Sequence, residues 1–259
     1  MQKLFLIILS FIVVSSSFAQ KQSKKDRREQ NRKRIDAMIK QEEEGIIVYK
    51  KHTVFGGKLI SNGYGAFVEF GRLNTVKKGM LYQLEISEYK SPREEKQSNL
   101  FAFSTPFSFG KQNFFYPVKL GVQQQLLFGN KSNKNGVSIT ANYGGGLSLG
   151  LIRPYYVQLG STGKFVKFES PDSSQFLDPS AISAGPGFSK GWNDITVNPG
   201  AYAKTALRFD YGSYNEIVSA IEVGISADFY SKKVPLLVRE KERQFFFTGY
   251  VAIIFGRRK

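Results

Sequence analysis

Seven charged residues carry most of the chemistry this chain could do. Glu69, Glu85, Glu222 and Asp228 supply carboxylates, and Lys119, Lys204 and Arg208 supply cations. Neighbouring carboxylates can run general acid–base chemistry, whereas a carboxylate beside a cation forms a fixed ion pair. The rest of the chemical inventory is thin. The 259 residues contain one His and no Cys. That excludes disulfides, thiolate metal ligands, cysteine nucleophiles and lipidation of an N-terminal Cys. His52 has no Ser or Asp close to it in sequence, and one His leaves little room for a His-rich metal centre. The sequence holds no phosphate loop, zinc signature or nucleophile elbow. Gly144-Gly145-Gly146 lacks the following helix that would make it a phosphate cradle. The expectation is a non-enzymatic protein without a cofactor, with catalysis by the four acids as the alternative.

What positions the seven charges is a two-residue period. In Val137 to Leu159 one parity reads Val137, Ile139, Ala141, Tyr143, Gly145, Leu147, Leu149, Leu151, and the other is polar or small. The same alternation recovers seven more segments: Thr53–Ile60, Tyr64–Gly71, Met80–Lys90, Asn113–Phe128, Ala201–Tyr211, Ile217–Tyr230 and Gln244–Phe255. Eight is an even number and the smallest size of outer-membrane barrels, whose closure satisfies every backbone edge in lipid. The sequence therefore predicts an all-β fold, an eight-stranded antiparallel transmembrane β-barrel over residues 52–259. A soluble lipocalin-like barrel shares the alternation but faces its apolar parity inward.

The charges choose between the two. With the apolar parity on lipid, all seven fall in the lumen, where four acids and three bases nearly cancel. Arg208 and Glu222 flank a short turn at spacing that allows a cross-strand pair. The glycines on the polar parity of the fifth segment are expected to make room for long side chains. Eight strands leave space for side chains only, so the expected lumen is a packed plug of ion pairs rather than a pore.

The connections sort by length. Arg72–Gly79, Gly129–Gly136 and Gly212–Glu216 are short, and are expected to be periplasmic. Ser61–Gly63, Ser91–Gln112, Ser161–Gly200 and Ser231–Arg243 would face outward, and all but the first are long. Phe101, Phe103, Phe107 and Phe109 alternate in the second of these, and the only Trp, Trp192, lies in the third. These aromatics read either as a girdle above the membrane or as contacts for a partner.

Residues 1–19 read as a secretory signal: Lys3, an apolar run from Leu4 to Val14, and small residues up to Ala19. Residues 20–51 read as a charged periplasmic arm, a solvated tail or a docking segment for an acidic partner. The formal net charge of +16 first suggests nucleic acid. Export removes that partner. Most of the excess lies in the arm, the short connections and the Arg257-Arg258-Lys259 tail, so it reads as a periplasmic polarity marker near lipid phosphates.

Several segments carry a resemblance. The Ser17-Phe18-Ala19-Gln20 junction looks like the export sites common in Bacteroidota, and Gly144-Gly145-Gly146-Leu147-Ser148-Leu149-Gly150, Phe188-Ser189-Lys190-Gly191 and Phe255-Gly256-Arg257-Arg258 resemble a family of small outer-membrane barrels from that phylum. The resemblance covers most of the chain after Lys51 and supplies no catalytic residue. It implies an accessory or structural subunit of a larger outer-membrane assembly, such as the barrel-insertion or type IX secretion machinery. The alternatives are a free-standing barrel that binds lipopolysaccharide or another ligand through its outer loops, a barrel enzyme, or a small pore.

Overall fold

Alternating burial runs through every long strand of the chain. The computed structural model describes residues 29, 50–75, 77–97, 105–131, 136–160, 162–169, 173–212 and 216–258. Residues 1–19, expected to be a signal, nearly all of residues 20–51, expected to be an arm, and Phe101 and Phe103 lie outside the described residues. From residue 50 onward the described residues belong to one unit, Gly45–Lys259.

Eight strands build it: β1 Lys51–Ile60, β2 Gly63–Thr75, β3 Lys78–Tyr89, β4 Asn113–Gly129, β5 Ser138–Pro154, β6 Thr196–Asp210, β7 Ile217–Val234 and β8 Arg243–Arg258. Each pairs antiparallel with its neighbours in sequence, and β1 pairs with β8 to close the barrel. Closure runs in register from His52↔Arg258 to Ile60↔Tyr250 and leaves no edge unpaired. β4 and β5 have 17 residues and β7 has 18. About ten tilted residues cross a hydrocarbon core, so these strands continue well beyond one.

The outward parity is apolar. Phe55, Leu59, Phe70, Leu84, Leu120, Leu147, Phe245, Phe247 and Ile253 are all exposed. The inward parity stacks three layers. Toward the long connections Tyr89, Phe115, Tyr230 and Phe246 pack ring against ring, with centroids 5.0–6.0 Å apart. Charged residues fill the middle. At the short-turn end Arg258 pairs with Asp210, and the Lys131 ammonium donates to the Gly212 carbonyl. The lumen is thus not polar throughout, because Phe115 and Phe246 take the inward parity of their strands.

The predicted fifth segment ends early. Pro154 closes β5, since it has no N–H to extend the ladder. Beyond it Tyr156–Leu159 leaves the barrel and pairs with Phe165–Lys167 and Ile182–Ala184. That small sheet, the helical turn Ser173–Phe176 and a ribbon pairing Lys96–Gln97 with Phe107–Ser108 form a cap. Phe107, Tyr155, Val157, Phe176 and Ile182 are its core. The third long connection is therefore a folded element, and β6 begins at Thr196 rather than Ala201.

The glycines of β5 also differ from expectation. Gly150 does admit side chains: a Cβ there would meet the rings of Phe115 and Tyr230. At Gly144 and Gly146 the crowding comes from the β4 backbone, with the carbonyls of Val122 and Leu120 2.2 and 2.1 Å from a built Cβ.

Candidate functional site

In the lumen the structure brings all seven charged residues into linked ion pairs. Arg208 and Glu222 stand directly opposite one another on β6 and β7. The Arg208 guanidinium donates from Nε to Glu222 at 2.9 Å and forks onto both oxygens of Glu69 at 2.7 and 2.9 Å. Tyr250 and Asn142 also donate to Glu222, at 2.8 and 3.1 Å. Lys204 reaches Gln83 at 2.7 Å and Glu222 at 3.5 Å. Lys119 pairs with Asp228 at 2.8 Å, and the Tyr89 hydroxyl donates to the same carboxylate at 2.6 Å. Glu85 takes Lys58 at 2.6 Å and Ser87 at 3.0 Å.

Lys58 was not among the seven, although the parity of β1 places it inward with Val54 and Ile60. It makes four Lys or Arg for four acids, so the charge of the middle layer closes to zero. His52 has the company in space that it lacks in sequence: it lies 3.3 Å from Glu69. Glu69, Glu222 and Asp228 are fully buried. Burying each ion costs several kcal/mol, which only such dense pairing offsets. Among the described residues no group of three or more His, Asp or Glu is placed to hold a metal ion.

An apolar belt outside and neutralised charge inside is the reverse of a soluble barrel. Water would leave the belt unsatisfied, whereas hydrocarbon suits it and closure leaves no backbone edge to solvate. The chain is a β-barrel of the bacterial outer membrane. No protein-family model matches it, and no curated protein does. Three solved structures are among those similar to it. One is Neisserial surface protein A, 11% identical with a TM-score of 0.37, covering 81% of this chain and 96% of that one. Another is Ail, the attachment invasion locus protein of Yersinia pestis, 8% identical with a TM-score of 0.38, covering 82% and 100%. A third is the N-terminal β-barrel domain of Pseudomonas aeruginosa OprF, 10% identical with a TM-score of 0.34, covering 80% and 98%.

A second site lies on the outer flank at the long-loop end. There the β1–β2 connection is a tight turn at Ser61 and Asn62, and the cap overhangs the space beside it. The result is an open groove of about 650 Å³ between the outward faces of β2, β3 and β4 and the cap. Tyr64, Ala66 and Ile86 line its lower part, and Glu88, Lys90, Glu94, Lys96, Lys111 and Arg153 its upper part. Lys111 pairs with Glu94 at 2.7 Å; burial pushes its ammonium down and the carboxylate opposes the shift. Tyr64 donates to Glu88 at 2.5 Å.

Of the aromatics predicted for partner contact, Phe107 is only 4% exposed. It packs in the cap core, so it offers no contact surface, and Phe109 packs against the same cluster. Trp192 is partly exposed and stacks on Tyr116, with ring centroids 5.8 Å apart. Sequence reasoning passed over Arg153. Its signal was an isolated cation on the apolar parity of β5, next to Pro154.

Proposed function

We propose that this chain is a non-enzymatic, sealed barrel that serves as an accessory or structural subunit of a multi-protein outer-membrane assembly, for example the barrel-insertion machinery of Bacteroidota. One observation carries the reading. A large share of the chain builds a folded cap above a barrel whose lumen is filled. Such a molecule offers surface rather than passage or a reactive centre. The cap also keeps apolar side chains in the open: Phe188 is 79% exposed and Leu177 40%. Exposed aromatic and aliphatic groups on an ordered scaffold mark protein contacts. The basic arm is available to an acidic periplasmic partner, and the barrel wall to outer-membrane lipids and lipopolysaccharide.

Mild detergent extraction followed by affinity purification of the tagged full chain tests the reading. The expected result is a stoichiometric protein partner that is lost from the double variant Phe188→Ser, Leu177→Ser while the barrel stays folded. A lone monomer from cells expressing it at native level contradicts the subunit role.

A further inference from the structure

Arg153 is a buried cation without an acid. It is 2% exposed, on the outward parity of β5. Its Cζ lies 4.0 Å from the ring centroid of Phe114 and 4.7 Å from that of Trp192. Nη1 donates to the Phe188 carbonyl at 2.9 Å, and Nε has no hydrogen-bond partner. Among the described residues no carboxylate stands within ion-pair distance of it, whereas buried Lys58, Lys111, Lys119, Lys204 and Arg208 each have one. The rings of Phe114, Tyr116, Phe188 and Trp192 surround the guanidinium, but ring faces offset the cost of burying a cation less well than a paired carboxylate does. The site therefore retains a demand for an anion.

We propose that the groove beside Arg153 binds the phosphorylated headgroup of an outer-leaflet lipid. With Nη1 held by the Phe188 carbonyl, the Nε–Nη2 edge of the guanidinium fork is left to match two phosphate oxygens. Lys90 and Lys96 line the same groove and add positive charge. Glu88 and Glu94 oppose them, but Glu88 accepts from the Tyr64 hydroxyl at 2.5 Å and lies 3.7 Å from Lys90, and Glu94 pairs with Lys111 at 2.7 Å. A lipid rather than free phosphate is argued from the floor. Ala66 and Ile86 occupy the outward parity of β2 and β3 and run directly into the exposed belt at Val68 and Leu84. A headgroup at Arg153 thus leaves its acyl chains along the lipid-facing wall. The volume of about 650 Å³ suits a headgroup rather than a whole lipid.

Trp192 is the only tryptophan of the chain, so its fluorescence reports on this site alone. The full chain, folded in a zwitterionic detergent, is titrated with lipid A, with the same lipid after phosphatase treatment, and with inorganic phosphate. A saturable fluorescence change with lipid A only is expected. Arg153→Lys keeps the charge but loses the fork, and weakens binding about tenfold. The double variant Lys90→Gln, Lys96→Gln touches side chains outside the barrel core, and weakens it about fivefold with a reduced salt dependence. Persistence of a folded, SDS-resistant band qualifies each variant; if Arg153→Lys fails that check, the lysine pair decides. Equal binding of the dephosphorylated lipid, reproduction of the change by inorganic phosphate at the same concentration, or wild-type affinity in the folded variants overturns the proposal.

Discussion

Arg208 holds two carboxylates at once, so its loss strands both. Arg208→Met leaves Glu69 and Glu222 buried without their main partner and is expected to destabilise the barrel by about 3–5 kcal/mol. Urea unfolding of the barrel refolded into vesicles measures it. The double variant Glu69→Gln, Arg208→Met removes one charge of each sign, leaves Glu222 to Lys204, and should recover most of the loss; equal instability of single and double variants would show that the charges are not the cause. Gly191 tests the cap side of the groove. It adopts φ 88°, and a Cβ there would lie 2.7 Å from the Pro154 carbonyl. Gly191→Ala is expected to cost about 1–2 kcal/mol locally and to shift Trp192 emission, while the barrel band is unchanged. At this scale the inward charges could be read from parity alone, because a strand fixes the side of every second residue. Arg153 could not, since its meaning depends on a cap folding back over the wall.

Elements differ in how far local pattern specifies them. The eight strands span 10–18 residues, and a period of two repeated that often is hard to mistake. Their ends were less readable: β7 runs on to Val234, and β5 stops at Pro154. The cap strands have two to four residues each, too few for a period to register. What holds them is the contact of Phe107 and Tyr155 with Phe176 and Ile182 across long sequence separations. The cap is drawn from the β3–β4 and β5–β6 connections and contributes no strand to the barrel. Replacing residues 156–185 with a short Gly/Ser linker should therefore leave the barrel folded. An unheated gel that keeps the SDS-resistant band and a β-type circular dichroism spectrum check this; aggregation of the variant would show that the cap is needed for closure.

For the whole molecule, a sealed lumen and a greasy exterior have separate consequences. Three inward layers of aromatic, ionic and hydrogen-bonded side chains fill the lumen, and a cavity of about 40 Å³ lies at the short-turn mouth, beside His52 and Arg208. Reconstituted in a planar bilayer, the protein should show no discrete conductance steps; regular steps would mean that the plug opens. The direction of the alternation is the more basic claim, and the absence of Cys makes it directly measurable. Single cysteines placed along β7 from Ile221 to Phe229 and spin-labelled in liposomes report whether each position meets lipid. Oxygen accessibility should be high at 221, 223, 225, 227 and 229 and low at 222, 224, 226 and 228, with a period of two. A reversed phase, or uniform exposure to a water-soluble relaxer, would contradict the membrane-spanning barrel.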